Sequence, residues 1–79
     1  NVRAMIEVEV DVDVETSDVS DRVVDWDGVD FVWEVSGDED IIVVVDVADT
    51  SEVNDLITRM RQQDETVSTR TRLILDEKI

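Results

Sequence analysis

The octapeptide Asp40–Val47 reads DIIVVVDV. In an extended chain it puts Ile41, Val43, Val45 and Val47 on one face and Ile42 and Val44 on the other. Five consecutive β-branched residues favour a strand. A strand that is apolar on both faces must be covered on both, so this one is central to its sheet. The chain has 79 residues, the size of one domain. Its own helices can cover one face, but a second layer is more than so short a chain supplies. A partner subunit is the simplest source. A domain of this size buries only about 60–65% of its unfolded surface, which also favours association.

The other elements follow from the same kind of reading. Val2 to Val14 alternates almost without a break, with Val2, Ala4, Ile6, Val8, Val10, Val12 and Val14 on one face. Arg3, Met5, Glu7, Glu9, Asp11 and Asp13 lie on the other, which predicts a half-buried strand across the whole stretch. Thr16, Ser17 and Asp18 offer N-caps, and Val19, Val23 and Val24 fall at helical spacing, predicting a short helix over 17–25. After Asp27-Gly28, a second strand puts Phe31, Trp33 and Val35 on one face, and residues 36–39 form a turn into the central strand. Asp49-Thr50-Ser51 opens a second helix whose Val53, Leu56, Ile57 and Met60 keep the i, i+3, i+4, i+7 rule. A last strand, Val67 to Leu75, carries Val67, Thr69, Thr71, Leu73 and Leu75 on one face. The order βαββαβ predicts an α+β, ferredoxin-like sandwich: a four-stranded antiparallel sheet, two helices on one face, and dimerisation through the other.

Charge narrows the function. Twenty-two acidic residues against seven basic ones give −15, and Lys78 is the one lysine. Nucleic acid needs clustered cations and would be repelled here. Disorder is set aside because 42% of the residues are hydrophobic and clearly periodic. The charge reads as a solvated acidic coat, and we expect a halophilic source in which high salt screens its self-repulsion. No run approaches the roughly 20 apolar residues of a membrane span, and neither end resembles a signal peptide, so a cytoplasmic location is the expectation.

Catalysis is disfavoured because Cys, His and Tyr are all missing. No catalytic residue, cofactor or metal is expected. Asp11-Val-Asp13-Val-Glu15 begins like a calcium-binding loop, but Thr16 and Arg22 stand where that loop needs Gly and Glu. Asp38, Glu39 and Asp40 could hold a hard cation weakly, yet an acidic hairpin tip is more simply a turn. Thr69 and Thr71 are either ordinary strand residues or a pair of hydroxyls lining a polar pocket, and Arg70 and Arg72 between them can pair with nearby carboxylates. Trp26, Phe31 and Trp33 read as core or interface residues.

Gly28-Val29, then Val35-Ser-Gly37-Asp38-Glu39-Asp40-Ile41, an amphipathic helix, and Val67-Ser-Thr69-Arg-Thr71-Arg-Leu-Ile-Leu75 occur in that order. The pattern resembles the effector-binding RAM domain of the Lrp/AsnC (feast/famine) transcriptional regulators. There, "GV" precedes the second strand, "G-[DE]-x-D" joins the middle strands and a Val followed by "T-x-T" runs along the last. The resemblance spans essentially the whole chain. It implies a subunit that dimerises through its sheet, dimers that assemble into octamers or similar rings, and an amino acid or similar effector held between subunits. Gly37, Asp38, Glu39, Asp40, Thr69 and Thr71 match the positions of that site. Glu39 stands where the family often has Tyr, which favours a cationic or polar effector over an apolar one. Thr66 replaces a frequent Gly.

Regulators of this family also carry a helix-turn-helix, whereas this chain opens on a strand. The expectation is therefore one RAM-type domain over residues 1–79, either a fragment of a regulator or a stand-alone protein, that meets DNA only through a separate domain. Its role would be effector sensing and assembly, coupled as linked equilibria. The competing readings are an assembly module with no working effector site, or a dimeric ferredoxin-like enzyme.

Overall fold

The computed structural model describes all 79 residues. Its elements are β1 (Val2–Val10), α1 (Thr16–Val23), β2 (Val29–Glu34), β3 (Ile41–Val47), α2 (Thr50–Arg61) and β4 (Thr66–Leu73). The strands form one sheet in the order β2-β3-β1-β4, with every neighbouring pair antiparallel. This is the expected ferredoxin-like arrangement, and DIIVVVDV is an inner strand of it.

The core lies between the sheet and the helices. Ala4, Ile6, Val8 and Val10 of β1 and Ile41, Val43, Val45 and Val47 of β3 meet Val19, Val23, Trp26, Val53 and Met60. The two helices start differently. At α1, Glu15 occupies the N-cap position and makes no side-chain cap bond. At α2, the Asp49 carboxylate accepts from Glu52 N at 3.1 Å and Ser51 Oγ at 2.5 Å, while Glu52 Oε2 accepts from Ala48 N at 2.6 Å. This reciprocal closure satisfies amides that a helix start otherwise leaves unpaired.

β1 is shorter than its alternation predicts. The ladder pairing ends at Val8 with Ile41 on one side and at Val10 with Thr66 on the other, and one further backbone bond, from Asp11 N to Glu65 O at 2.8 Å, closes it. Asp11 then turns the chain, its Oδ1 accepting from Asp13 N at 2.9 Å, and Val12 is 96% exposed. β4 likewise stops at Leu73, and Leu75 is exposed. α1 begins and ends slightly earlier than predicted.

Two bulges reset the faces. Val29 pairs with Val45 and Phe31 with Val44, so Asp30 is an extra residue in β2. Val29 and Val32 therefore both pack on the helix-side core, while Phe31 and Trp33 share the opposite face with Val44 and Ile42. In β4, Thr66 pairs with Val10 and Ser68 with Glu9, leaving Val67 extra and exposed.

Candidate functional site

The turn between β2 and β3 is held from within the chain. Gly37 has φ +118° at an exposed tip, a conformation that disfavours any side chain. Asp40 binds three strands together: its carbonyl accepts from Val35 N, its amide donates to Val8 O, and its Oδ2 accepts from Val10 N at 2.8 Å. One oxygen of the Asp40 carboxylate thus serves the end of β1. Glu39 lies 3.8 Å from Arg70 on β4, and Asp38 is exposed. The three carboxylates of the turn diverge, and nowhere in the chain does a cluster of three or more converge as metal ligands would.

Thr69 and Thr71 lie on the other face. They pair with Val8 and Ile6 and so point towards the helices, whereas Arg70 and Arg72 pair with Glu7 and Met5 on the open face. Thr69 Oγ1 accepts from Arg61 Nε at 3.1 Å. No hydrogen bond or ion pair joins either threonine to Gly37–Asp40 within one chain. Ile41 and Thr69 flank Val8 from opposite sides, about two strand spacings or ~10 Å apart. The six expected residues therefore fall in two separate groups within one chain, Gly37–Asp40 at the turn and Thr69 and Thr71 on β4.

Two clefts indent the surface, and the turn borders neither. One of about 330 Å³ is lined by Arg61, Thr66, Val67, Ser68 and Thr69. The other, about 210 Å³, is lined by Asp27, Gly28, Val47, Glu52, Asp55 and Leu56. Arg61 and Thr66 were not among the expected site residues. Nothing in the linear pattern separates Arg61 from any cation near a helix end, and the bulge that places Thr66 inward is invisible to period-two alternation.

The sheet face away from the helices is the third candidate surface. Phe31 and Trp33 pack with ring centroids 5.0 Å apart beside Ile42 and Val44. Val44 is only 2% exposed yet stands outside the helix-side core, because it pairs with Phe31 on one side and Met5 on the other. Trp33 remains 52% exposed. Charges frame this apolar patch: Arg72 lies 3.6 Å from Glu7, and Arg3 reaches Asp30 at 3.7 Å and also Glu77. Asp46 Oδ1 is buried without a partner, although its register neighbour is Arg3.

A family model described as the Lrp/AsnC ligand binding domain matches residues 3–79. The chain belongs to the Lrp/AsnC ligand-binding domain family. Curated relatives include part of a homocitrate synthase of Sulfolobus acidocaldarius, 43% identical over 75 residues, or 95% of this chain and 16% of that protein. The HTH-type transcriptional regulator LysM of Sulfurisphaera tokodaii is 31% identical over 74 residues, covering 94% of this chain and 53% of the regulator. This Lrp/AsnC domain thus spans about half of one relative and about a sixth of the other. Among solved structures, E. coli AsnC superposes with a TM-score of 0.85 at 20% identity, covering 99% of this chain and 53% of that one, a likeness of fold. The ferredoxin-like sandwich and the family read from the sequence are both borne out.

Proposed function

We propose that this Lrp/AsnC domain senses an amino acid or similar small effector and assembles subunits, within a regulator that reads DNA through a separate helix-turn-helix. The match to the ligand-binding domain family over residues 3–79 carries this reading. The open sheet face supports homodimerisation, since a half-exposed Trp33 beside Phe31 and Ile42 is apolar surface that a second copy would cover. Dimers then assemble further, towards octamers. The effector lies between subunits, where Gly37, Asp38, Glu39 and Asp40 of one chain meet Thr69 and Thr71 of another. Backbone around Gly37 meets the α-carboxylate, and the turn's carboxylates meet ammonium groups. The Glu39–Arg70 pair is long and its Arg70 end is exposed, so a cationic effector displaces Arg70 at little cost. The acidic coat suits a salt-rich cytoplasm.

Isothermal titration with a pool of amino acids at 2 M KCl tests the reading. Binding of a cationic or polar amino acid, weakened about tenfold or more by Asp40→Ala while light scattering still reports a dimer, is the expected result. An unchanged affinity removes Asp40 from the site, and no binding by any amino acid leaves an assembly module. Asp40→Asn keeps an acceptor for Val10 N and so separates lost charge from a loosened turn.

A second reading has its own support. The 43% identity is to a stretch of a homocitrate synthase. The same kind of domain can therefore be an effector module appended to an enzyme, which would place the sensed molecule's effect on catalysis instead of on DNA. The reading frame adjoining Asn1 distinguishes the two.

A further inference from the structure

Arg61 is the exception among the cations of this chain. Arg3, Arg22, Arg70, Arg72 and Lys78 each sit against a carboxylate, and Arg59 lies over the Trp26 ring, 4.2 Å from its centroid. Arg61 has neither kind of partner, in a chain with 22 carboxylates. Its Nε donates to Thr69 Oγ1 at 3.1 Å, and the terminal N–H groups of this exposed side chain have no acceptor within the chain. The side chain stands on the wall of the 330 Å³ cleft. Thr66 also lines the cleft, and its Oγ1 is buried out of solvent contact without a hydrogen-bond partner.

The acids nearest the cleft are already engaged or displaced. Glu65 is taken by both terminal nitrogens of Arg22, at 3.0 and 3.3 Å. Glu9 accepts from Ser68 Oγ at 3.1 Å, so the Ser68 hydroxyl is spent. Asp64 is exposed in the loop before β4. A guanidinium offers two parallel donors, the geometry that fits a carboxylate, and small-molecule sites begin at about 300 Å³.

We propose that the cleft between the end of α2 and the start of β4 binds the carboxylate of a small organic acid, with Arg61 as its anchor and the Thr69 hydroxyl beside it. The site lies within one chain and asks for no ammonium group. It shares Thr69 with the effector site described above but does not depend on that site being occupied or on the chain being part of a regulator.

Nitrogen–proton correlation spectra of the full chain in about 0.2 M KCl, where its negative field is screened beyond roughly 8 Å, give the test, with glutarate as probe and neutral glutaramide as control. Glutarate should shift the Arg61 Nε–H and the amides of Val67, Ser68 and Thr69 saturably, and glutaramide should not. Arg61→Gln should weaken glutarate binding by about tenfold or more, with Arg61→Lys in between and both melting within about 2 °C of the parent. Equal response to glutaramide, undiminished binding by Arg61→Gln, or shifts just as large at Arg3, Arg70 and Arg72 would each overturn the proposal. So would shifts at Arg61 that grow with protein concentration in the absence of glutarate, which would assign the cleft to a carboxylate of a second copy.

Discussion

Gly28 shows how much one position can decide. Its φ is +88°, and a Cβ placed there would lie 2.9 Å from Val47 Cγ1 and 3.3 Å from Leu56 Cδ1. Both the backbone conformation and the space belong to glycine, at the point where β2 enters the sheet beneath α2. Gly28→Ala should therefore lower stability by at least about 1–2 kcal/mol in chemical denaturation, the left-handed cost alone, with the close contact adding to it. The sequence marked Gly28 as punctuation, but not the crowding, which depends on Val47 and Leu56 from two other elements. Two carboxylates contribute to acid sensitivity. Hydrogen bonds from the Ser51 hydroxyl and the Glu52 amide hold Asp49 below its usual range, and Glu65 is held down by a backbone hydrogen bond and by Arg22. A lowered folded-state pKa contributes stability above the unfolded value and loses it as pH falls through the folded one. Melting temperature should thus hold down to about pH 4 and decline below it. Asp49→Asn and Glu65→Gln should each flatten part of that decline.

Element boundaries were legible where pattern and partner agree. β3 and α2 lie close to where the sequence put them, since five β-branched residues in a row favour a strand and Val53-x-x-Leu56-Ile57-x-x-Met60 keeps the helical period. β1 was over-read because alternation records local preference, while a strand also needs a neighbour with free backbone groups. Val12 keeps the alternation but has no partner. Val12→Thr should accordingly change the denaturation midpoint by no more than about 0.5 kcal/mol equivalent, and a larger loss would mean that β1 extends further in the assembled protein. The bulges at Asp30 and Val67 were not legible. Each inserts one residue, and a period-two pattern carries no sign of which neighbour it faces. Yet they set the surfaces that matter: the first turns Phe31 and Trp33 to the open face, and the second turns Thr66 inward to the cleft. Gly37–Asp40 and Thr69/Thr71 were singled out by motif, and that they lie apart in one chain became apparent only with the register.

At the scale of the whole molecule, −15 over 79 residues is the dominant electrostatic fact. The five cations held by carboxylates make mostly exposed pairs, which offset little of the repulsion. Raising KCl from 0.1 to 2 M should raise the melting temperature and favour association, because the screening length falls from about 10 Å to less than 3 Å. A melting temperature indifferent to salt would detach the coat from a salt-rich source. The two tryptophans divide the molecule's behaviour between them. Trp26 is sealed in the core under Arg59, while Trp33 looks out from the sheet. The protein consequently contains its own pair of optical probes: emission from the first follows unfolding, and a blue shift of the second would report the proposed subunit association. Each can be isolated by replacing the other with Phe, so the two equilibria can be timed separately without any added label.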